Sequence, residues 1–232
     1  MASKTTDNVI LRVMRKEDYK NVRALLKEDF LASEPLCQFS GIASQWQNEE
    51  KRGENKEKYE KFDDNNLEVI AQGTSLVALD EDNGGRLVGF VLAEAQFPED
   101  IEKHRIEAEA SRQIGFGRIR VILSKVEREA NIFERFGISK VLYSNVTSVD
   151  ASMRGKGIGS RLAAALMDVG RSKGFPAMVA YCTSFYSARQ KEALGMQCIY
   201  SLAYADYKDD QERPIFTPAE PNTMLRVMAI KL

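Results

Sequence analysis

The run Ser148-Val-Asp-Ala-Ser-Met-Arg154-Gly155-Lys156-Gly157-Ile158-Gly159-Ser160-Arg161-Leu162 has the residue types needed to hold a phosphate. Glycines at 155, 157 and 159 let the backbone approach a ligand closely and adopt conformations closed to other residues. The run joins a β-rich segment, 141–149, to a segment, 157–173, that carries Leu162, Ala165, Leu166 and Val169 on one helical face. The first amides of such a helix lack internal partners and point outward at the positive end of the helix dipole. That is a site for a pyrophosphate. Ser160 adds a hydroxyl, and Arg154, Lys156 and Arg161 add positive charge. A Walker A loop does not fit, because Gly157 stands where Ser or Thr must follow the lysine and Asp150 stands where a glycine is needed. A G-x-G-x-x-G dinucleotide fingerprint fails at Ser160, and residues 174–180 supply no acidic strand end. What remains is Arg-x-x-Gly-x-Gly, filled by Arg154, Gly157 and Gly159.

Other chemistries are poorly served. His104 is the one histidine, in a charged helical stretch where a solvated side chain is expected, so a Ser/His/Asp triad or a His-based metal site is not expected. Cys37, Cys182 and Cys198 are odd in number and lack metal spacing, which reads as reduced, mostly buried thiols. The 33 Lys+Arg and 34 Asp+Glu nearly cancel, so no basic field points to nucleic acid or a membrane surface. No stretch approaches the length of a membrane span, and the first residues show no apolar signal region. A cytoplasmic monomer is expected.

The elements that must position the loop follow from periodicity. Residues 9–14 read as a strand, and Tyr19, Val22, Leu25, Leu26 and Phe30 recur at helical spacing until Ser33-Glu34-Pro35 ends the helix. Residues 44–65 read as a polar surface helix. Strands 75–80 and 86–97 flank the turn sequence Glu81-Asp-Asn-Gly-Gly85 as a hairpin. Residues 98–136 form one or two helices broken near Gly115-Phe116-Gly117. A strand at 176–182, a helix at 187–194 and strands at 197–204 and 224–232 complete the order. The 232 residues suit one domain, 1–232, an α/β sheet with a parallel step between strands 141–149 and 176–182.

The Arg154–Gly159 pattern resembles the acetyl-CoA loop of the GNAT acetyltransferases. Three further stretches sharpen the likeness: Phe30-Leu-Ala-Ser-Glu-Pro-Leu36, Cys182-Thr-Ser-Phe-Tyr-Ser-Ala-Arg189 running into Leu194-Gly195, and Ala205-Asp-Tyr-Lys208 with Arg226-Val-Met-Ala229. Together they resemble the insect arylalkylamine N-acetyltransferases. The resemblance implies the GNAT acyl-CoA N-acyltransferase fold, a mixed central sheet with splayed parallel strands flanked by helices. It implies acetyl-CoA held by Arg154, Gly155, Lys156, Gly157, Ile158, Gly159 and Ser160, with pantetheine along the backbone of Thr147, Ser148 and Val149, and no metal. It implies Glu34 as general base, since a protonated amine must lose a proton before attack. Ser187 is implied as the hydroxyl that meets the leaving sulfur, because Lys191 stands where many GNATs carry a tyrosine. A bland alternative for Ser187 is a helix N-cap. Thr183 stands where the family often has a second serine, and Phe185 where it often has histidine.

The expected reaction is direct attack of a small amine on acetyl-CoA within a ternary complex. A peptide or polyamine acceptor on the same fold is the alternative, as is a non-catalytic acyl-CoA module, which would not need Glu34 and Ser187. Phe30, Phe39, Trp46, Phe185, Tyr186 and Tyr204 suit a closed amine pocket better than an open peptide groove.

Overall fold

Seven strands built on β-branched and apolar runs form one sheet in the order β1-β2-β3-β4-β5-β7-β6. They are β1 (Val9–Val13), β2 (Leu76–Asp80), β3 (Arg86–Gln96), β4 (Val141–Val149), β5 (Ala177–Cys182), β6 (Gln197–Ala203) and β7 (Met224–Lys231). This computed structural model describes residues 8–113 and 116–232. The segment read as lacking a signal region, and Gly115 of the expected helix break, lie outside the described residues. β2 and β3 form the expected hairpin. Every neighbouring pair is antiparallel except β4 and β5, the expected parallel step.

The parallel pair is short. β4 and β5 are in register at Leu142↔Met178 and Tyr143↔Val179, and then they part, although β4 runs on to Val149 and β5 to Cys182. A bulge helps to separate them: Leu92 faces Val146 and Ala93 faces Ser144, leaving Asn145 without a partner on β3. An extra residue bends its strand and increases the local twist. The sheet therefore carries a wedge with its vertex at Tyr143 and Val179.

Two helical layers cover the sheet. One face holds α9 (Ile158–Ser172), with Leu162 and Leu166 fully buried, and α10 (Phe185–Ala193). The opposite face holds α1 (Tyr19–Leu25), α2 (Leu31–Ser33), α3 (Pro35–Phe39), α4 (Ile42–Arg52), α5 (Lys56–Ala71), α6 (Pro98–Ala110), α7 (Gly117–Ala130) and α8 (Ile132–Phe136). Between α1 and α2 the chain makes one wider, π-helical turn, Leu26–Phe30. Among the described residues no helix is long and apolar enough to cross a membrane.

Several expectations need correction. Residues 44–65 are not one helix: Gly53 and Asn55 both take positive φ and split the segment into α4 and α5. Nor is the segment purely a surface one, since Trp46 and Glu49 are buried. The 98–136 segment gives three helices rather than one or two, because Asn131, at φ 40, separates α7 from α8. The last helix starts at Phe185, with Ser184 as its cap, so the N-cap reading of Ser187 falls. His104 is not simply solvated, since its Nδ1 lies 3.0 Å from a Glu127 carboxylate oxygen. Of the three free cysteines, Cys37 and Cys182 are buried and Cys198 is exposed.

Candidate active site

Asp150 sets the glycine loop at the open end of the wedge. Its amide donates to Val88 O at 3.0 Å, its Oδ1 accepts from Ser152 N at 2.9 Å, and Arg86 Nη1 reaches its Oδ2 at 2.7 Å. Gly155 and Gly157 follow at φ 76 and 78, where glycine alone is unstrained. A Cβ at either would meet nothing within 4 Å, so the loop surface is open to a ligand. Gly157 is the N-cap residue of α9 and no side chain caps that end, which leaves the first α9 amides turned outward. This uncapped turn, with Ser160 in it, fits a pyrophosphate.

Alternation fixes which part of β4 faces the wedge. Residues in an antiparallel strand turn N–H and C=O to alternate sides. Because Asp150 N donates to Val88 on β3, Ser148 also turns its backbone toward β3. Thr147 and Val149 turn theirs to the splayed side. The Val149 carbonyl is taken there by Arg154 Nε at 3.0 Å. Lys156, by contrast, stands exposed beside Met153 Sδ.

Arg154 also joins the loop to the segment bearing Glu34. Its Nη2 lies 3.1 Å from Asp29 Oδ1 and donates to Ser33 Oγ at 3.2 Å. Ser33 immediately precedes Glu34 and Asp29 lies just over a turn before it, so one guanidinium fastens the end of β4 to the π-helical turn and α2. Pro35 at the first position of α3 forces Glu34 into an extended conformation, at φ -68 and ψ 127. Its Oε2 accepts from Cys37 N at 2.6 Å, while Oε1 is buried with no partner among the described residues. A buried carboxylate oxygen of that kind normally has a hydrogen-bond donor. Burial first, then the Glu34 charge, pushes the Cys37 thiol up, so it stays protonated.

Tyr204 stands near Glu34 and is held to Thr183, just past the end of β5. It is buried, and burial together with the nearby Glu34 charge raises its pKa. Its hydroxyl donates to Thr183 O at 2.8 Å. Ser187 lies in the first turn of α10, where its Oγ donates to Ser184 O at 2.9 Å and its N donates to Ser184 Oγ at 3.0 Å.

The six aromatics expected to line one pocket do not gather in one place. Trp46 stacks on Tyr59, with ring centroids 4.6 Å apart, inside the helical layer. Tyr186 is 69% exposed, and Phe39 is exposed too. Asp29 and Ser33 are the site neighbours that periodicity and spacing did not single out, whereas Tyr204 was expected as one of the pocket aromatics. The Glu-Pro break marked their neighbourhood, but no local signal marked the pairing of Asp29 with Arg154.

Residues 41–190 match the acetyltransferase (GNAT) family, and the chain belongs to that family. Its members use acetyl-CoA as acetyl donor to an acceptor, so the uncapped α9 turn and the wedge have a ligand to fit. Solved structures are similar over nearly the whole chain. An agmatine N-acetyltransferase is 26% identical with a TM-score of 0.83, covering 97% of this chain and 100% of that one. A mosquito arylalkylamine N-acetyltransferase like 5b is 27% identical with a TM-score of 0.79, over 97% and 100%. The polyamine N-acetyltransferase of Drosophila melanogaster, which forms N-acetylagmatine, is 25% identical with a TM-score of 0.78, over the same shares. Among the described residues, no group of three or more His, Cys, Asp or Glu side chains is placed to hold a metal.

Proposed function

We propose that this acetyltransferase acetylates the primary amine of a small arylalkylamine or related biogenic amine by direct attack within a ternary complex. The observation that carries the reading is the convergence of three features on the splayed ends of β4 and β5. The glycine loop approaches from one face, the unpartnered Glu34 Oε1 from the other, and Arg154 binds the two together. The α9 amides of Ile158, Gly159 and Ser160 hold the pyrophosphate, flanked by Arg154, Gly155, Lys156 and Gly157. Thr147 and Val149 pair with pantetheine, Ser148 holds β4 to β3 between them, and a backbone amide of this edge polarises the thioester carbonyl. Glu34 takes the amine proton, directly or through water. Ser187 turns its hydroxyl to the departing sulfur. Thr183, whose carbonyl fixes Tyr204, borders the acceptor site with its own hydroxyl.

A diamine or guanidino-amine acceptor is the second reading, favoured by the likeness to proteins named for agmatine and polyamine acetylation. The protein is proposed to work in the cytoplasm as a monomer, with Cys37 and Cys182 buried as free thiols. Thiol release from acetyl-CoA against dopamine, tyramine, serotonin, agmatine, spermidine and a short peptide tests the reading. Arylalkylamines should be turned over with the highest kcat/KM. Turnover of the peptide alone would refute it, and highest kcat/KM for agmatine or spermidine would select the second reading.

A further inference from the structure

The connection between α6 and α7 and the chain that follows β6 border an open cavity of about 490 Å³. That volume is in the range of small-ligand sites. Its lining carries three arginines, Arg112, Arg118 and Arg213, against one carboxylate, Asp209. Tyr207, Val121 and Ile215 add an aromatic and aliphatic wall. The cavity lies on the α7 face of the sheet, whereas the glycine loop leads into α9 on the opposite face.

Both walls are held in place. On one side, a Cβ at Gly117 would overlap Ser111 O, so the end of α6 lies directly against the start of α7 and keeps Arg112 and Arg118 on one rim. On the other, Ile215 N donates to Tyr207 O at 2.9 Å and Arg213 N to Asp209 Oδ1 at 3.0 Å, closing a short hairpin. Tyr207 stacks on the buried Phe216, with ring centroids 6.2 Å apart, which anchors that hairpin to the core.

The arginines keep donors in reserve. Arg112 meets Glu109 through Nε and Nη2, and Arg213 meets Asp209 through the same two atoms. Among the described residues the Nη1 group of each has no acceptor, although it carries two N–H donors. Arg118 is less well placed still. Arg105, Arg112 and Lys125 each face a glutamate three or four positions away, and among the described residues Arg118 has none. It is the second residue of α7, whose first turn holds no acidic side chain. A cation there faces the positive end of the helix dipole, an arrangement that an anion relieves. Planar guanidinium forks match the oxygens of a phosphate.

We propose that this cavity is a second binding site, for a small phosphate monoester with an apolar body. The phosphate oxygens accept from the Nη1 groups of Arg112 and Arg213 and from the guanidinium of Arg118. The apolar body lies against Tyr207, Val121 and Ile215. The site stands apart from the wedge and does not depend on which amine is acetylated there.

Phenyl phosphate is the probe, titrated by calorimetry into the full chain with and without saturating coenzyme A, which covers the glycine loop. Wild type should bind it under both conditions with a dissociation constant of about 1 mM or tighter. Affinity should fall as salt is added, because the contacts are ionic and open to solvent. Arg118→Gln and Arg213→Gln should each weaken binding at least about fivefold without lowering the melting temperature. Arg118→Lys, which keeps the charge and loses the fork, should fall between wild type and Arg118→Gln. Arg171→Gln, on α9, should change nothing. Benzoate and benzyl alcohol should bind at least about tenfold more weakly than phenyl phosphate. Loss of the probe when coenzyme A is present would put it at the glycine loop and overturn the second site. So would an affinity unchanged in both Arg118→Gln and Arg213→Gln, or no binding at about 10 mM probe. Benzoate bound as tightly as phenyl phosphate would overturn the assignment to a phosphate.

Discussion

At the scale of single residues, the site depends on polar groups that the fold leaves waiting. Glu34 is half tied, with one oxygen on the Cys37 amide and the other unpartnered. Ser187 has its hydroxyl on Ser184 O, a bond it can exchange for a sulfur acceptor. Ser187→Ala should therefore lower kcat by up to about tenfold, roughly 1.4 kcal/mol of transition-state stabilisation, with acetyl-CoA binding nearly intact. Pre-steady-state rates that show chemistry unchanged would remove the role. Resemblance picked these residues out, while the Glu-Pro break by itself marked only a helix end and the serine-rich stretch only a helix start. Their partners were not legible in the sequence. Arg154 meets Asp29 across 125 positions, and no local pattern announces an ion pair of that span.

At the scale of elements, the strand–loop–helix unit was the most legible part. β4 was expected at its observed bounds, because nine residues of high β propensity precede the turn chemistry of the loop. α9 was likewise expected within a residue of its ends, its apolar stripe at helical spacing. The α4–α5 split was missed although Gly53 and Asn55 are residues that favour positive φ, and such a pair within a polar stretch was signal enough to break it. The wedge itself was expected through resemblance alone; the register that creates it, two paired positions and then divergence, is a tertiary property. The loop carries its own prediction. Gly157→Val places a branched side chain at φ 78 and fills the open surface that receives the phosphates. Titration calorimetry should show acetyl-CoA binding weakened at least about tenfold, or 1.4 kcal/mol, in a protein whose circular dichroism is unchanged. An unchanged dissociation constant would mean that the phosphates bind elsewhere.

At the scale of the whole molecule, the helical layer over the wedge is clamped to the sheet by a buried carboxylate. Glu127 on α7 accepts from Tyr181 on β5 at 3.4 Å and lies 3.0 Å from His104 on α6. The hydrogen bond to Glu127 raises the His104 pKa against the opposing effect of burial, with Asp100 and Glu94 adding to the rise. A histidine whose folded pKa is raised stabilises the fold fully below its unfolded pKa of about 6.5, and that stabilisation is lost as pH rises through the folded value. The melting temperature of wild type should thus exceed that of His104→Gln most below about pH 6, and the gap should close toward higher pH. A gap independent of pH would show that the clamp does not depend on the imidazolium. The central claim of the proposed function is that Glu34 takes the amine proton when acetyl is transferred at the wedge. The direct measurement is kcat/KM against pH for wild type and Glu34→Gln with the best amine of the panel. An alkylammonium has a pKa near 10.4, so unaided loss of its proton becomes easier only as pH rises. The glutamine variant should lose about 10²- to 10⁴-fold at neutral pH and approach wild type at high pH. A variant with the wild-type rate and the same profile would contradict the claim and leave Glu34 as the cap of α3.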